Sequence, residues 1–168
     1  MFFAIFPNRF IQVQLAHQAE QLVSICGGNI VKLQQTHLTL LFLGNVAVDQ
    51  IEIIQRAMKN VSAKKFEFNL EEICYWKQNQ IVYSQAKQFP AELFTLVDSL
   101  RNVLSGTGLL IDKHTYKPHV TLIRKAIHSI NINLNTPIRW HAHEWFLMQS
   151  KQTDNGVDYI PLGQWSLR

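Results

Sequence analysis

The sequence predicts an α+β fold, on three observations. Three segments have the apolar spacing of amphipathic helices, and the runs between them are rich in β-branched and aromatic residues. The elements follow the order strand, helix, strand, strand, helix, strands, helix, strand, strands, which lacks the strict alternation of doubly wound folds. No low-complexity linker divides the 168 residues. We therefore expect one domain over residues 1–168, or two intimately packed lobes, with a substantial core.

The predicted helices cover residues 8–26, 48–61 and 90–104. Gly27 and the glycine after it end the first helix, and Pro90 opens the third, because proline suits the first turn of a helix and glycine the position after the last. The apolar residues that give the first helix its spacing are Phe10, Val13, Leu15, Ala19, Leu22, Val23 and Cys26.

The predicted strands are short runs bounded by turn residues. Residues 154–156 form a hairpin-type turn signal between the last two strands. The strands cover residues 2–6, 30–33, 66–70, 81–84, 138–148 and 157–162, together with two runs that begin at His37 and His119. Residues 73–76 either continue the strand at 66–70 or begin another.

Composition sets limits on compartment and partner. The formal net charge is +4, which mildly favours an anionic partner. Cys26 and Cys74 have neither disulfide-framework nor zinc-site spacing, and we expect both to be buried, reduced thiols of a cytoplasmic protein. The apolar N-terminus lacks a basic n-region and is cut by Pro7, so it is not a signal peptide. No apolar run is long enough to span a membrane.

The tetrapeptide at residues 37–40 recurs at residues 119–122, as His-Leu-Thr-Leu and His-Val-Thr-Leu. Residues i and i+2 of a strand point to the same face, so each copy would present an imidazole beside a hydroxyl. Two such copies, half a chain apart, predict two halves that face one another across a shared site. A single copy would more often be an ordinary polar pair on a sheet surface.

Two histidines and two threonines suit acid–base chemistry on an oxyanion such as phosphate. His37 and His119 can each accept or donate a proton near neutral pH, so one can take a proton from attacking water while the other protonates the leaving alkoxide. The hydroxyls of Thr39 and Thr121 can donate to non-bridging phosphate oxygens. This scheme needs no metal and no other cofactor.

One further candidate lies five residues after each histidine, Phe42 after His37 and Arg124 after His119. Arg124 could bind a phosphate through its guanidinium, or it could be a solvated charge at a strand end. Phe42 could stack on a nucleobase, or it could be a core residue among its leucine neighbours. His141 and His143 have strand spacing, but they lack the further ligands of a metal site.

These motifs resemble the 2H phosphoesterase superfamily. Their flanks narrow the resemblance to the RNA 2′,3′-cyclic phosphodiesterases, historically called 2′-5′ RNA ligases. The first motif continues into Phe42-Leu43-Gly44, and the second has Pro118 before it and Arg124 after it. Residues 2–5 resemble the opening strand of the family, and residues 146–165 resemble its closing strands.

The resemblance implies a bilobal α+β fold with pseudo-twofold symmetry, antiparallel sheets that line a central cleft, and helices outside. It implies hydrolysis of the 2′,3′-cyclic phosphate ends of RNA, tRNA fragments among them, to 2′-phosphates without metal, together with reversible 2′-5′ RNA ligation. It further implies the following roles: His37 as proton donor, His119 as proton acceptor, Thr39 and Thr121 on the phosphate, Arg124 assisting, and Phe42 near the base. We expect a monomer without membrane association.

Two other functions stay open at this stage. The first is a phosphodiesterase that acts on small cyclic nucleotides or on 2′-5′ linkages. The second is a non-catalytic RNA-binding module, against which the presence of both histidines and both threonines argues.

Overall fold

The computed structural model of the chain describes residues 1–109, 111, 114–154 and 156–168. Within these ranges the chain forms three α-helices and nine strands of one antiparallel sheet, which confirms the α+β prediction. The helices are α1 (Arg9–Cys26), α2 (Val48–Ala57) and α3 (Ala91–Ser105). The strands are β1 (Phe2–Ile5), β2 (Asn29–Ile30), β3 (Leu38–Phe42), β4 (Phe66–Trp76), β5 (Ile81–Gln85), β6 (Val120–Arg124), β7 (Asn131–Ala142), β8 (Glu144–Thr153) and β9 (Gly156–Ser166).

The sheet consists of two similar halves that meet at the repeated motif. Its strand order is β7-β4-β5-β6-β3-β1-β8-β9, and β2 pairs with β6. Among the described residues, β3 and β6 pair at one position, Leu38 with Val120. Read outward from this bridge, one half is β3-β1-β8-β9 and the other is β6-β5-β4-β7. The separate sheets that the resemblance implies are therefore joined into one open sheet at the centre of the molecule.

The helices tie the two halves together. Helix α1 follows β1 of the first half but packs against β6 and β7 of the second, whereas α3 follows β5 of the second half and packs against β3 of the first. Both helices contribute to a single hydrophobic core. Because each half of the sheet is covered by the helix of the other half, the core fixes the position of one motif relative to the other.

The buried face of α1 differs from the predicted one. Phe10 is 71% exposed and Val13 is 49% exposed, so their placement in the apolar stripe is wrong. The stripe passes through Ile11 instead, since a helical face repeats about every 3.6 residues. The buried residues of α1 are Ile11, Leu15, Ala19, Leu22 and Cys26.

Two strand predictions and one cysteine prediction need correction. Residues 138–148 are not one strand but the end of β7 and the start of β8, with His143 between them. The buried positions explain the break, because they step by two up to Ala142 and then by three to Trp145. Residues 66–76 form one strand with a register shift, so of the two alternatives for residues 73–76 the continuation of the first strand is the observed one. Strand β2 is confined to residues 29–30 instead of covering 30–33. Cys26 is buried as expected, but Cys74 is half-buried. The turn signal at residues 154–156 includes Asn155, which lies outside the described residues.

A glycine after α1 holds the end of β6 in place. Gly28 has a positive φ of 89°, and a Cβ added to it would lie 2.4 Å from the carbonyl oxygen of Arg124 and 2.9 Å from the amide nitrogen of Ala126. Only a residue without a side chain allows this close approach. The turn that follows Arg124 is therefore packed directly against the end of α1.

Candidate active site

The bridge between β3 and β6 places both motifs on one face of the sheet. Leu38 and Val120 pair in antiparallel fashion and are fully buried. In an antiparallel pair, the residue before one partner lies opposite the residue after the other. His37 is thus set opposite Thr121, and Thr39 opposite His119. All four side chains are half-buried and line one cleft of about 560 Å³.

Both imidazoles are held by the same hydrogen bond. The Nδ1–H group of His37 donates to the carbonyl of Gln35 at 2.6 Å, and that of His119 donates to the carbonyl of Lys117 at 2.7 Å. In each case the carbonyl belongs to the residue two positions earlier. Since a carbonyl oxygen only accepts, Nδ1 carries the hydrogen and Nε2 is left to exchange a proton with a ligand.

Aromatic rings surround each histidine. The ring centroids of Phe2, Phe6 and Tyr159 lie 5.0, 5.4 and 5.3 Å from that of His37. Those of Trp76 and Tyr83 lie 5.6 and 5.5 Å from that of His119. The rings fix each imidazole and take it out of bulk water. The sequence reasoning missed these residues as part of the site, although the alternation of β1 puts Phe2 and Phe6 on one face.

Burial and positive charge lower the pKa of both histidines. Burial is the largest cause of the lowering of the pKa of His37 from 6.5 to about 4, which the carbonyl of Gln35 opposes and the charges of Arg124 and His119 reinforce. Burial also lowers the pKa of His119, opposed by the carbonyl of Lys117 and reinforced by Arg124. Both imidazoles are therefore neutral at pH 7 until an anion binds. A bound phosphate stabilises the imidazolium form and raises both pKa values.

The two remaining predicted residues stand at the ends of the motif strands. Phe42 ends β3 and is 57% exposed, so its interpretation as a core residue is wrong. Arg124 ends β6 and is also exposed. Both line the same cleft as the histidines and threonines. Because β3 and β6 run in opposite directions from the bridge, these two side chains flank the centre of the site from opposite sides.

Tyr116, three residues before His119, connects the second motif to the first by a hydrogen bond. The hydroxyl of Tyr116 donates to the carbonyl of Thr39 at 2.8 Å. Burial raises the pKa of Tyr116, so the hydroxyl keeps its proton and its hydrogen bond. Tyr116 lines the cleft with Lys117 and, from the opposite half, Ser150 and Tyr159. The cleft thus carries cationic, hydroxyl and aromatic groups around two imidazoles, which suits a phosphate ester with an attached base.

No group of three or more histidine, cysteine or acidic side chains in the described part of the chain could hold a metal ion. His141 instead pairs with Glu67, at 2.9 Å between Nδ1 and Oε2. None of the described helices combines the length and the apolar character needed to cross a membrane.

The chain is similar in sequence to known phosphoesterases. The LigT like Phosphoesterase family matches residues 7–83. The RNA 2′,3′-cyclic phosphodiesterase of Escherichia coli (strain K12) is 26% identical over 99% of this chain and 96% of its own length. The enzyme of the same description from Archaeoglobus fulgidus is 25% identical over 74% of this chain and 71% of its own length.

Solved structures agree with these sequence relatives. The crystal structure of E. coli LigT complexed with 3′-AMP superimposes with a TM-score of 0.91 at 26% identity, covering 99% of this chain and 96% of that one. The structure of E. coli LigT in apo form gives a TM-score of 0.88 at 26% identity, with 99% and 95% covered. The similarity therefore extends over both halves of the sheet and over the cleft between them.

Proposed function

Because the chain carries a LigT-like phosphoesterase domain of the 2H superfamily, we propose that it hydrolyses the 2′,3′-cyclic phosphate ends of RNA to 2′-phosphates by a metal-independent reaction of two histidines. One observation carries this proposal. The bridge between Leu38 and Val120 brings the two His-x-Thr motifs to one face of the sheet, with each histidine opposite the threonine of the other motif.

The proposed reaction uses the site residues as follows. Thr39, Thr121 and Arg124 bind the non-bridging phosphate oxygens. Water attacks phosphorus and gives a proton to Nε2 of His119. The bond from phosphorus to O3′ breaks, and O3′ takes a proton from Nε2 of His37. The products are a 2′-phosphate and a free 3′-hydroxyl, and solvent returns the two histidines to their starting protonation states.

The proposal also covers binding of the terminal base and the identity of the RNA partner. The exposed ring of Phe42 stacks on the terminal base, since aromatic rings bind bases of any sequence by stacking. RNA with a cyclic phosphate end, tRNA fragments included, is the proposed partner. Reversible 2′-5′ ligation is the same displacement with the 5′-hydroxyl of a second RNA in place of water. A single domain over residues 1–168, a monomeric state and a cytoplasmic location remain predictions from the sequence.

Product analysis tests the reaction directly. We expect an RNA oligonucleotide with a 2′,3′-cyclic phosphate end to gain one water and to yield only the 2′-phosphate, with a metal chelator present throughout. The same RNA with a 3′-phosphate end is the control, and it should be unchanged. A product with a 3′-phosphate, or turnover that the chelator abolishes, would contradict the proposed reaction.

The pH dependence should follow the lowered pKa values. One histidine must be protonated and the other neutral, so the rate profile is bell-shaped, and kcat/KM reports the free enzyme. Both pKa values of the free enzyme lie below 6.5, that of His37 at about 4. We therefore expect the maximum of kcat/KM below pH 6.5. The kcat profile should lie at higher pH, because the bound phosphate raises both pKa values.

Removal of the charge of Arg124 tests the cause of the lowered pKa values, with removal of the charge of Arg56 as the control. The guanidinium of Arg124 lowers the pKa of both histidines, so Arg124→Gln should move both limbs of the kcat/KM profile to higher pH. Arg56→Gln removes an exposed arginine that pairs with Glu52 and does not line the cleft, and it should leave the limbs in place. Limbs that do not respond to Arg124→Gln would show that this charge does not act on the titrating groups.

A further inference from the structure

A second cavity, of about 430 Å³, adjoins the cleft and shares one wall with it. Trp76, Tyr116, Lys117 and His119 line both cavities. The second cavity contains none of the other residues to which the proposed reaction assigns a role. Of the residues with a role in the proposed reaction, His119 alone lines this cavity, and Phe42 lines only the cleft.

The lining of this second cavity combines aromatic rings with positive charge. Tyr83 and Phe89 contribute to it, and Phe94 presents a ring that is 39% exposed. Lys87 and Lys117 are exposed at its edge, and Nζ of Lys117 lies 5.7 Å from the centre of the Trp76 ring. Among the described residues that line it there is no carboxylate.

Two glutamates close to this cavity accept hydrogen bonds from other residues, one from a backbone amide and one from a side-chain amide. Glu71 accepts a hydrogen bond from the amide nitrogen of Lys87 at 3.1 Å, and Glu72 accepts one from the Gln85 side chain at 2.9 Å. Neither glutamate lines the cavity. Aromatic faces with flanking cations are the lining that binds single-stranded nucleic acid, since bases stack on the rings and phosphates pair with the cations.

We propose that this cavity binds the nucleotide immediately 5′ of the cyclic-phosphate end. The inference rests on the proposed function and extends it to the length of the substrate. The terminal nucleotide occupies the cleft, with its phosphate between the histidines. The preceding nucleotide lies beyond Trp76 and Lys117, where its base stacks against Phe94. The phosphate that links it to the terminal nucleotide pairs with Lys87. A volume of about 430 Å³ falls within the roughly 300–1,000 Å³ of small-molecule sites.

The test compares two substrates that differ by one nucleotide. The first is 2′,3′-cyclic AMP, and the second is a dinucleotide that ends in the same 2′,3′-cyclic adenosine phosphate. We expect the wild-type protein to have a kcat/KM for the dinucleotide at least about fivefold higher, the lower end of what one stacked base contributes. In Lys87→Ala and Phe94→Ala, this ratio should fall toward one. The ratio cancels any loss of folded protein, because both substrates meet the same preparation.

Matched variants and one further substrate separate the parts of the inference. Lys59→Ala and Phe10→Ala remove exposed side chains of the same types that line neither cavity, and they should keep the wild-type ratio. A dinucleotide whose 5′ residue is abasic should lose the contribution of Phe94 and retain that of Lys87. A wild-type ratio near one, or an unchanged ratio in both Lys87→Ala and Phe94→Ala, would overturn the inference alone. Failure of the wild type to hydrolyse either substrate would overturn the proposed function and the inference with it.

Discussion

Replacing either His37 or His119 with alanine is expected to lower kcat/KM on a cyclic-phosphate-ended RNA by about 10²–10⁴-fold, the contribution of one general acid or base. Each variant keeps the other histidine and both threonines, so binding of the phosphate should persist while proton transfer is lost. Because the two imidazoles act in one step, the double variant should be far less impaired than the product of the single effects. Steady-state kinetics on the three variants measures this directly.

The control for these variants is a histidine of the same chain outside the site. His17 is exposed on α1, where its ring lies 3.0 Å from the Gln21 amide, and His17→Ala should retain wild-type activity. Thermal unfolding of all variants checks the fold, since the rings of Phe2 and Trp76 pack against the two catalytic imidazoles. Near wild-type turnover in both His37→Ala and His119→Ala would contradict the two-histidine reaction. A wild-type protein without turnover, together with RNA binding that survives the loss of both histidines, would instead support a module that binds RNA without catalysis.

The sequence was sufficient to predict the central residues because strand geometry is local. The spacing from His37 to Thr39 and from His119 to Thr121 determines that each pair shares a face, whatever the rest of the chain does. The prediction that the two His-Thr pairs lie close together was based only on the repetition of the motif. Their proximity depends on a single bridge, Leu38 with Val120, which connects residues half a chain apart. No local pattern encodes such a pairing, so the register became known only from the fold.

The parts that were missed depend on contacts between distant segments. Tyr159 reaches His37 from β9, and Trp76 reaches His119 from the end of β4. Neither position stands out in the sequence, because aromatic residues are common in strands. The same holds for α1, where Phe10 and Ile11 fit the helical period about equally well. Packing of α1 into the hydrophobic core selects Ile11.

The leaving group offers the sharpest separation of the roles of His37 and His119. With sulfur in place of O3′ in the cyclic phosphate, a thiolate leaves instead of an alkoxide. A thiol has a pKa of about 8.5, far below that of an alcohol, so the bond to phosphorus breaks without a proton donor. We therefore expect His37→Ala to recover most of its activity, about 10²-fold or more, on the sulfur substrate. His119→Ala should remain impaired, because water still needs an acceptor for its proton.

Recovery of the other variant would exchange the donor and acceptor roles of the two histidines. The geometry of the free site does not decide between these two assignments. Both histidines have the same Nδ1 hydrogen bond and face equivalent threonines, so geometry alone does not distinguish donor from acceptor. The pKa of His37 is about 4 before an anion binds, so at neutral pH a donor role requires the bound phosphate to raise that pKa. Recovery of His119→Ala rather than His37→Ala on the sulfur substrate, measured with a chelator present, would make His119 the donor. Recovery of His37→Ala would mean that the substrate, rather than the free site, sets the direction of proton transfer.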